Sequence, residues 1–187
     1  MRLGIFGGSF DPPHVGHLLV VVDALEALAL DVVVLVPAAV QPLKAGRAAA
    51  PSEHRLAMVR LLVDGDPRFA VDPIEIEREG LSYTVDTLAA FAERYPESER
   101  FFLVGTDVLA SFEQWRDPGT VLRLATLTVM QRKGETGRVP ESALRVETRR
   151  VDVSSTEIRE RVRTGRTIRG FVPEAVAAYI AEQRLYR

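Results

Sequence analysis

The residues best suited to chemistry lie in the stretch GGSFDPPHVGH, residues 7–17, which holds two of the chain's three histidines. His14 and His17 are three residues apart, so both side chains share one face at the first turn of a helix. Gly16 leaves room for a ligand at that face. Imidazoles beside the unpaired amides of a helix amino end can bind phosphate oxygens. We therefore interpret this stretch as a phosphate site.

The residues before the histidines shape the same site. Gly7 and Gly8 follow a short apolar segment, where missing side chains let the backbone turn sharply and let a ligand approach it. Pro12 and Pro13 restrict the backbone and predict that the helix begins near Val15. The stretch matches neither GxxxxGK[ST] nor GxGxxG, so it predicts a different type of phosphate cradle.

Three other interpretations of this stretch remain open. The paired glycines could form only a turn. The two histidines could ligate a metal, although no third ligand is obvious nearby and HExxH is absent. They could also be buried structural histidines held by hydrogen bonds.

A second candidate phosphate motif is VSSTEIR, residues 153–159. Ser154 and Glu157 have the spacing of a capping box, which starts a helix there. The hydroxyls of Ser155 and Thr156 and the guanidinium of Arg159 can converge on one anion at that helix start. Capping of the helix is the alternative role of this motif.

Hydrophobic periodicity predicts alternating strands and helices along the chain. The expected strands are residues 3–6, 32–36, 100–105 and 127–132, with an extended segment at 69–76. The expected helices are residues 15–29, 52–63 (capped by Ser52), 83–94 (capped by Ser82), 154–164 and a last helix from Pro173 onward. A short helical turn and a segment opened by Pro118 are expected between the last two strands.

This order of elements predicts an α/β fold: a Rossmann-like doubly wound parallel sheet flanked by helices, forming a single domain over residues 1–187 with a small helical carboxyl-terminal part. Ligands of such sheets bind beyond the carboxyl ends of the strands. Residues 133–141 are expected to be a mobile surface loop.

Composition limits the possible functions. The formal net charge of −2 gives no broad positive field, which argues against binding of bulk nucleic acid and requires any anion site to be local. The chain has no cysteine, which excludes disulfides, thiolate nucleophiles and cysteine-ligated zinc. The sequence has no apolar segment long enough to predict a membrane span or a signal peptide. The expected location is therefore the cytoplasm.

Both motifs resemble those of a known superfamily. GGSFDPPHVGH resembles the HxGH signature of the nucleotidyltransferases, and VSSTEIR is similar to its ISSTxIR partner. GLSYTVDTL (80–88), VGTD (104–107), Trp115 and the segment FVPEAVAAYIAEQRLY (171–186) are similar to the bacterial nicotinate-nucleotide adenylyltransferase family. The resemblance covers essentially the whole chain.

The resemblance implies an enzyme that transfers AMP from ATP, carried with Mg²⁺, to nicotinate mononucleotide and releases pyrophosphate. It implies a catalytic set of His14, His17, Lys44 and Arg159, and no metal ligand among the side chains. The implied ATP-binding residues are Gly7, Gly8, Ser9, Phe10, Gly16, Gly105, Asp107, Val153, Ser154, Ser155 and Thr156.

The acceptor site follows from the same resemblance. Tyr83, Thr84 and Trp115 are the implied acceptor-binding residues, with a backbone group near Thr84 on the nicotinate, the indole stacked on its ring, and Asp107 near the nucleotide ribose. The amides at the start of the helix after Ser82 favour a carboxylate over a neutral amide, hence nicotinate over nicotinamide.

One departure concerns the loop after the second strand, which reads QPLK at residues 41–44, with Leu43 where the family usually has a histidine. This puts the phosphate contacts of that loop in doubt. His54 is expected to be structural or peripheral.

The alternative functions are another adenylyltransferase of the superfamily, with phosphopantetheine or nicotinamide mononucleotide as acceptor, or a non-catalytic nucleotide-sensing module. The sequence does not predict the oligomeric state.

Overall fold

The strands of the protein form one parallel sheet. They are β1 (Arg2–Gly8), β2 (Val32–Pro37), β3 (Phe69–Val71), β4 (Glu99–Gly105), β5 (Thr126–Arg132) and β6 (Leu144–Thr148). Their order across the sheet is β3-β2-β1-β4-β5-β6, and every neighbouring pair is parallel. This computed structural model describes residues 1–42, 50–109, 111–135, 139–140 and 142–187. The direction of strand succession reverses between β1 and β4, which is where ligands of doubly wound sheets bind.

Helices connect the strands and cover both faces of the sheet. Within the described ranges they are α1 (Val15–Ala27), α2 (Ser52–Val63), α3 (Ile74–Glu77), α4 (Thr84–Arg94), α5 (Thr106–Leu109), α6 (Pro118–Leu124), α7 (Ser155–Arg163) and α8 (Glu174–Glu182), with a 3-10 turn at Phe112–Gln114. No helix in this part of the chain is long and apolar enough to cross a membrane.

Alternation along the buried strands divides the core into two layers. In β2, Val33 and Leu35 face the layer that contains α1 and α2, whereas Val34 and Val36 face the layer that contains α4 and α6. Successive strand residues point to opposite faces, so a strand covered on both sides is apolar throughout. The predicted doubly wound α/β sheet is confirmed.

A third apolar cluster holds the carboxyl-terminal helices. Ile158 of α7 and Val176 and Ile180 of α8 pack with Met58 of α2. This cluster is the small helical part that the sequence predicted. It attaches α7 and α8 to the side of the sheet on which α1 and α2 lie.

Some local predictions were wrong. Residues 69–76 are not extended throughout, because β3 ends at Val71 and α3 begins at Ile74. Gly7 and Gly8 do not follow β1 but are its last two residues, paired with Val36 and Pro37. The sharp turn therefore comes later, after Gly8.

Helix starts also differ in detail from the prediction. Ser52 is the first residue of α2, and Pro51 occupies the N-cap position. Tyr83, not Ser82, is the N-cap residue of α4. The Ser82 hydroxyl instead accepts a hydrogen bond from the amide of Ala39 at 2.9 Å, which ties this segment to the loop after β2. Pro173 is likewise an N-cap residue, one position before α8.

Candidate functional site

The loop from Ser9 to Pro13 and the first turn of α1 lie beyond the carboxyl end of β1. Helix α1 begins at Val15, as the two prolines predict, and His14 is its N-cap residue. The amide of Val15 donates to the carbonyl of Phe171 at 3.0 Å, so the helix start is also held by the segment before α8.

The two imidazoles are in contact, with ring centroids 3.7 Å apart and ring planes tilted by 32°. Nδ1 of His17 accepts a hydrogen bond from the main-chain amide of His14 at 3.2 Å. A neutral His17 therefore carries its proton on Nε2, which makes that nitrogen a donor. Nδ1 of His14 is buried and has no hydrogen-bond partner within the described residues. Within the described residues, Nδ1 of His17 is therefore hydrogen-bonded and Nδ1 of His14 is not.

Both imidazoles are held in the neutral form. Burial lowers the pKa of His14 to about 4. Burial, followed by the charge of the neighbouring His14, lowers the pKa of His17 well below its usual value. Two adjacent cations with little solvent are costly, so protonation requires a compensating negative charge. A phosphate group beside the pair would provide that charge.

Gly16 makes room for a neighbouring side chain. A Cβ atom at this position would lie 2.9 Å from Nδ1 and 3.0 Å from Cε1 of His14. The missing side chain therefore lets the imidazole of His14 lie close to the helix backbone. Gly7 differs, because an added Cβ there would meet no atom of the described residues within 4 Å.

Phe10 contributes from beneath the site. Its side chain is 2 % exposed, and its backbone has a φ of 49°, which is rare for a bulky residue. The ring packs against His17 with centroids 5.1 Å apart and against Phe6 at 5.6 Å. A Cβ at Gly8 would lie 3.1 Å from this ring. Phe10 can therefore reach a nucleotide only through its main chain, and its side chain supports His17.

The start of α7 meets the loop after β1. Ser154 is the N-cap residue and accepts a hydrogen bond from the amide of Glu157 at 3.1 Å, as predicted. The hydroxyl of Ser155 donates to the carbonyl of Pro12 at 2.8 Å, and Nη1 of Arg159 donates to the carbonyl of Asp11 at 2.7 Å. The start of α7 thus lies against the loop that leads from β1 into α1.

Other predicted residues lie around this junction. Val153 precedes the α7 cap and packs on the third apolar cluster. Thr156 accepts from Nη2 of Arg159 at 3.2 Å. Gly105 ends β4, and a Cβ there would lie 2.5 Å from the carboxylate of Asp107, so this glycine makes room for that side chain. Lys44 and Leu43 lie outside the described residues.

The predicted acceptor residues belong to the start of α4 and to the segment around Trp115, which pack on the other face of the sheet. Thr84 is the first residue of α4. The Trp115 ring is half-buried and packs edge-on against Phe102, with centroids 5.9 Å apart. The guanidinium of Arg116 lies 4.8 Å from the centre of the Tyr83 ring. Arg116 therefore joins the segment that carries the tryptophan to the start of α4, a role that the sequence analysis missed.

Two further residues were missed. Arg55 of α2 is 2 % exposed, and its guanidinium donates to three main-chain carbonyls: those of Ala50 at 3.2 Å, Ser9 at 2.7 Å and Ala39 at 3.0 Å. It thereby joins the loop after β1 to the loop after β2. Asp11 is the second: its buried carboxylate accepts from the amide of Ala50 at 3.1 Å. His54, in contrast, contacts Tyr179 at 2.9 Å and is structural, as expected.

Helical spacing could have revealed Arg55. The buried face of α2 consists of Arg55, Met58, Val59, Leu62 and Val63. The arginine therefore occupies the first position of an apolar stripe, where a charge is unusual.

Metal binding was the other possibility for the two histidines. The described residues contain no group of three His, Cys, Asp or Glu that could hold a metal ion.

Comparison with known proteins agrees with this geometry. A cytidylyltransferase-like family model matches residues 5–161. A protein of Gemmatimonas aurantiaca named "Probable nicotinate-nucleotide adenylyltransferase" is 52 % identical and is aligned over 100 % of this chain and 93 % of its own. A protein of the same name from Thermus thermophilus is 44 % identical over the full length of both chains.

Solved structures have the same fold. The Plasmodium falciparum nicotinic acid mononucleotide adenylyltransferase complexed with NaAD superposes with a TM-score of 0.79 at 19 % identity and covers 99 % of this chain and 97 % of its own. The same enzyme complexed with APC gives a TM-score of 0.77. Family model, full-length relatives and fold agree, and the chain belongs to the cytidylyltransferase-like proteins and, within them, to the nicotinate-nucleotide adenylyltransferase family.

Proposed function

We propose that this protein transfers AMP from ATP to nicotinate mononucleotide, giving nicotinate adenine dinucleotide and pyrophosphate. One observation carries the proposal beyond family membership: at the carboxyl edge of the sheet, the first turn of α7 lies against the loop that leads into α1, where the Ser155 hydroxyl donates to the carbonyl of Pro12 at 2.8 Å. The first turns of α1 and α7 both present main-chain amides, which favour anions. The triphosphate of ATP fits this edge chemically.

The reaction needs no protein nucleophile. An ionised phosphate oxygen of the mononucleotide forms a bond to the α-phosphorus of ATP, and the bond from that phosphorus to the oxygen bridging to the β-phosphate breaks. Pyrophosphate leaves with the electron pair. Catalysis then consists of positioning the two phosphates and stabilising the charge that develops on the oxygens.

The proposed donors come from both turns. His17 offers Nε2–H, because its Nδ1 is engaged by the amide of His14. Arg159 and Lys44 supply positive charge, and the negative phosphates favour protonation of the buried imidazoles. Magnesium enters as part of the substrate, bound to ATP, and neutralises the phosphate oxygens. No side chain is proposed as a resident metal ligand.

The nucleotide and acceptor occupy the space on either side of β1 and β4. Gly7 leaves open space for close approach of ATP, and Gly105 with Asp107 is proposed to lie near the ribose. The backbone around Thr84 is proposed to bind the nicotinate carboxylate through the amino end of α4, which has eleven residues. Tyr83 and Trp115 provide aromatic surface for the nicotinate ring.

The whole chain is proposed to act as one nucleotidyltransferase domain, residues 1–187. All six strands of the described residues belong to one sheet, and α7 and α8 pack on α2. Both halves of the phosphate site, residues 7–17 and 153–159, are then needed for activity.

The experiment that tests the proposal measures pyrophosphate release. The purified protein is incubated with ATP and magnesium, and nicotinate mononucleotide, nicotinamide mononucleotide or phosphopantetheine is offered in turn. We expect fastest release with nicotinate mononucleotide. Release only with phosphopantetheine would replace the proposed acceptor, and ATP binding without release for any acceptor would indicate a nucleotide-sensing protein.

A further inference from the structure

The loop after β1 is held by a residue from the opposite end of the sequence. The hydroxyl of Tyr186 donates a hydrogen bond of 2.8 Å to Oδ1 of Asp11. The same oxygen accepts from the amide of Ala50 at 3.1 Å, and Asp11 as a whole is 5 % exposed. A buried carboxylate requires such donors, since each unsatisfied acceptor is costly. Tyr186 therefore helps to determine where Asp11 lies.

The chain takes an unusual path to bring Tyr186 to this position. Arg184 and Tyr186 have φ values of 55° and 62°, in the left-handed region that residues other than glycine rarely adopt. The amide of Leu185 donates to the carbonyl of Ile180 at 3.1 Å, which bends the chain back after α8. Strained backbone persists only where surrounding contacts hold it, and it concentrates at functional sites.

The charges around Asp11 favour the same arrangement. Arg159 donates to the main-chain carbonyl of Asp11 at 2.7 Å, and Arg55 donates to that of Ser9 at 2.7 Å. Burial, and then the charge of Asp11, raises the pKa of Tyr186, so its hydroxyl keeps its proton and remains a donor. Asp11 is three residues before His14, in the turn that leads into α1.

We propose that Tyr186 is a positioning residue for the ATP phosphate site: through Asp11 it fixes the turn that places His14 and His17. The inference rests on the proposed function, in which those histidines bind the phosphates of ATP. Tyr186 itself touches no reacting atom. It acts through the carboxylate of Asp11 and the backbone that follows it.

A second tyrosine provides the matched control. The hydroxyl of Tyr179, in α8, makes a 2.9 Å hydrogen bond with Nδ1 of His54 in α2. Like Tyr186, it ties the carboxyl-terminal region to the body of the protein through one hydroxyl. Within the described part of the chain, both its hydroxyl and its ring contact His54, away from the loop after β1 and the start of α7. Tyr179→Phe therefore removes a comparable hydrogen bond outside the phosphate site.

The test compares Tyr186→Phe with Tyr179→Phe in steady-state assays and in calorimetric titration with magnesium and ATP. We expect Tyr186→Phe to lower kcat about tenfold and raise the Kd for ATP about fivefold, because small displacements of catalytic groups are costly. The KM for nicotinate mononucleotide should stay within twofold. Tyr179→Phe should leave all three values within twofold of the wild type.

The outcomes separate the inference from the proposed function. If wild-type protein releases no pyrophosphate with any acceptor, the proposed function fails, and the ATP titrations alone decide the role of Tyr186. Equal ATP affinity and turnover in Tyr186→Phe and wild type would overturn the inference. Equal losses in the two variants would also overturn it, because both hydroxyls would then act only through overall stability.

A double-variant cycle tests the route through Asp11. In an Asp11→Ala background, Tyr186→Phe should change the Kd for ATP by less than twofold, since residues that act through one contact are not additive. Effects that multiply would show that Tyr186 acts by another route. If Asp11→Ala does not fold, the comparison of the two tyrosine variants decides.

Discussion

His14 and His17 have different surroundings although both belong to the start of α1. His17 is oriented by the main-chain amide of His14 and supported by the ring of Phe10. His14 has a buried Nδ1 that lies close to Gly16. The sequence predicted that the two imidazoles share one face, but it could not show how closely the two rings approach each other. Their separation depends on the N-cap geometry of His14, which spacing alone does not reveal.

We expect His17→Ala to lower turnover about a hundredfold or more while the protein still folds, since removal of one donor to a developing oxyanion typically costs this much. The variant also loses the acceptor that holds the His14 amide, at a cost of about 1 kcal/mol in stability. Turnover by pyrophosphate release and the urea midpoint measure the two effects. His54→Ala is the control for loss of an imidazole, and near-normal turnover of His17→Ala would contradict the assignment.

Gly16→Ala tests the packing of the other histidine. The added methyl group would lie 2.9 Å from Nδ1 of His14, so the ring must move. We expect turnover to fall about tenfold or more, since a displaced donor loses most of its effect. Gly119→Ala in α6 is the matched control, because its nearest neighbour would be 3.7 Å away. Equal activity of the two variants would mean that the His14 position is unimportant.

Among the helices, α2 links the site to the rest of the fold. Its first turn carries Arg55 under the loops after β1 and β2, and its later turns pack on β2 and on α8. The three carbonyls that Arg55 satisfies lie in irregular backbone, where no strand or helix provides donors. The helix therefore supports the site as well as the core.

Replacement of Arg55 with methionine should destabilise the protein by about 3 kcal/mol, because buried carbonyls lose their donors while the apolar volume is kept. Arg55→Lys should recover only part of this loss, since an ammonium cannot reproduce the guanidinium fork. Urea unfolding measures both. Arg60→Met, on the exposed side of the same helix, should change stability by less than about 0.5 kcal/mol. A similar small change for Arg55→Met would refute the structural role.

The elements show where sequence patterns succeed and where they fail. Strands β1, β2, β4 and β5 have apolar residues at their centres and were predicted within a few residues. Strand β6 was not predicted, because its sequence LRVET lies at the sheet edge and buries only Val146 and Thr148. Helix α3 was read as extended, since Ile74 and Ile76 alternate with acids. Its Glu75 is nevertheless buried and accepts from Thr87 at 2.7 Å, a long-range contact that periodicity does not contain.

For the molecule as a whole, the buried histidines predict a pH-dependent stability. Their pKa values are lowered in the folded protein, to about 4 for His14, so the unfolded chain binds more protons below its pKa of 6.5. The free energy of unfolding is therefore not reduced by these histidines above pH 6.5. It falls progressively as the pH drops toward 4. From pH 7 to pH 5, His14 alone should cost about 2 kcal/mol, measured by urea unfolding without ATP.

The control for this prediction is the His14→Gln/His17→Gln double variant, whose stability should depend much less on pH over the same range. Burial raises the pKa of Glu75, so this residue makes the protein more stable as the pH falls. Subtracting the pH dependence of the double variant from that of the wild type removes the Glu75 contribution. Identical pH profiles of the two proteins would show that the imidazoles are not buried in the neutral form.

The topology of the sheet could be predicted from the sequence. The long-range hydrogen bonds that hold the loop after β1 could not. Alternating strand and helix patterns, together with the right-handed crossover rule, lead to the doubly wound sheet and bring residues 7–17 and 153–159 to one edge. Contacts such as Tyr186 to Asp11 join positions 175 residues apart. They depend on side-chain directions at the end of an irregular segment, which no local spacing encodes.

That long-range hydrogen bond has a consequence for synthesis of the protein. Strand β1 leaves the ribosome well before Tyr186, so the turn after β1 lacks the tyrosine donor until residue 186 emerges. Domains acquire structure as they are made, at about 5–20 residues per second. A nascent chain that already contains both histidines should therefore hold ATP weakly, and nucleotide affinity should rise once Tyr186 reaches Asp11.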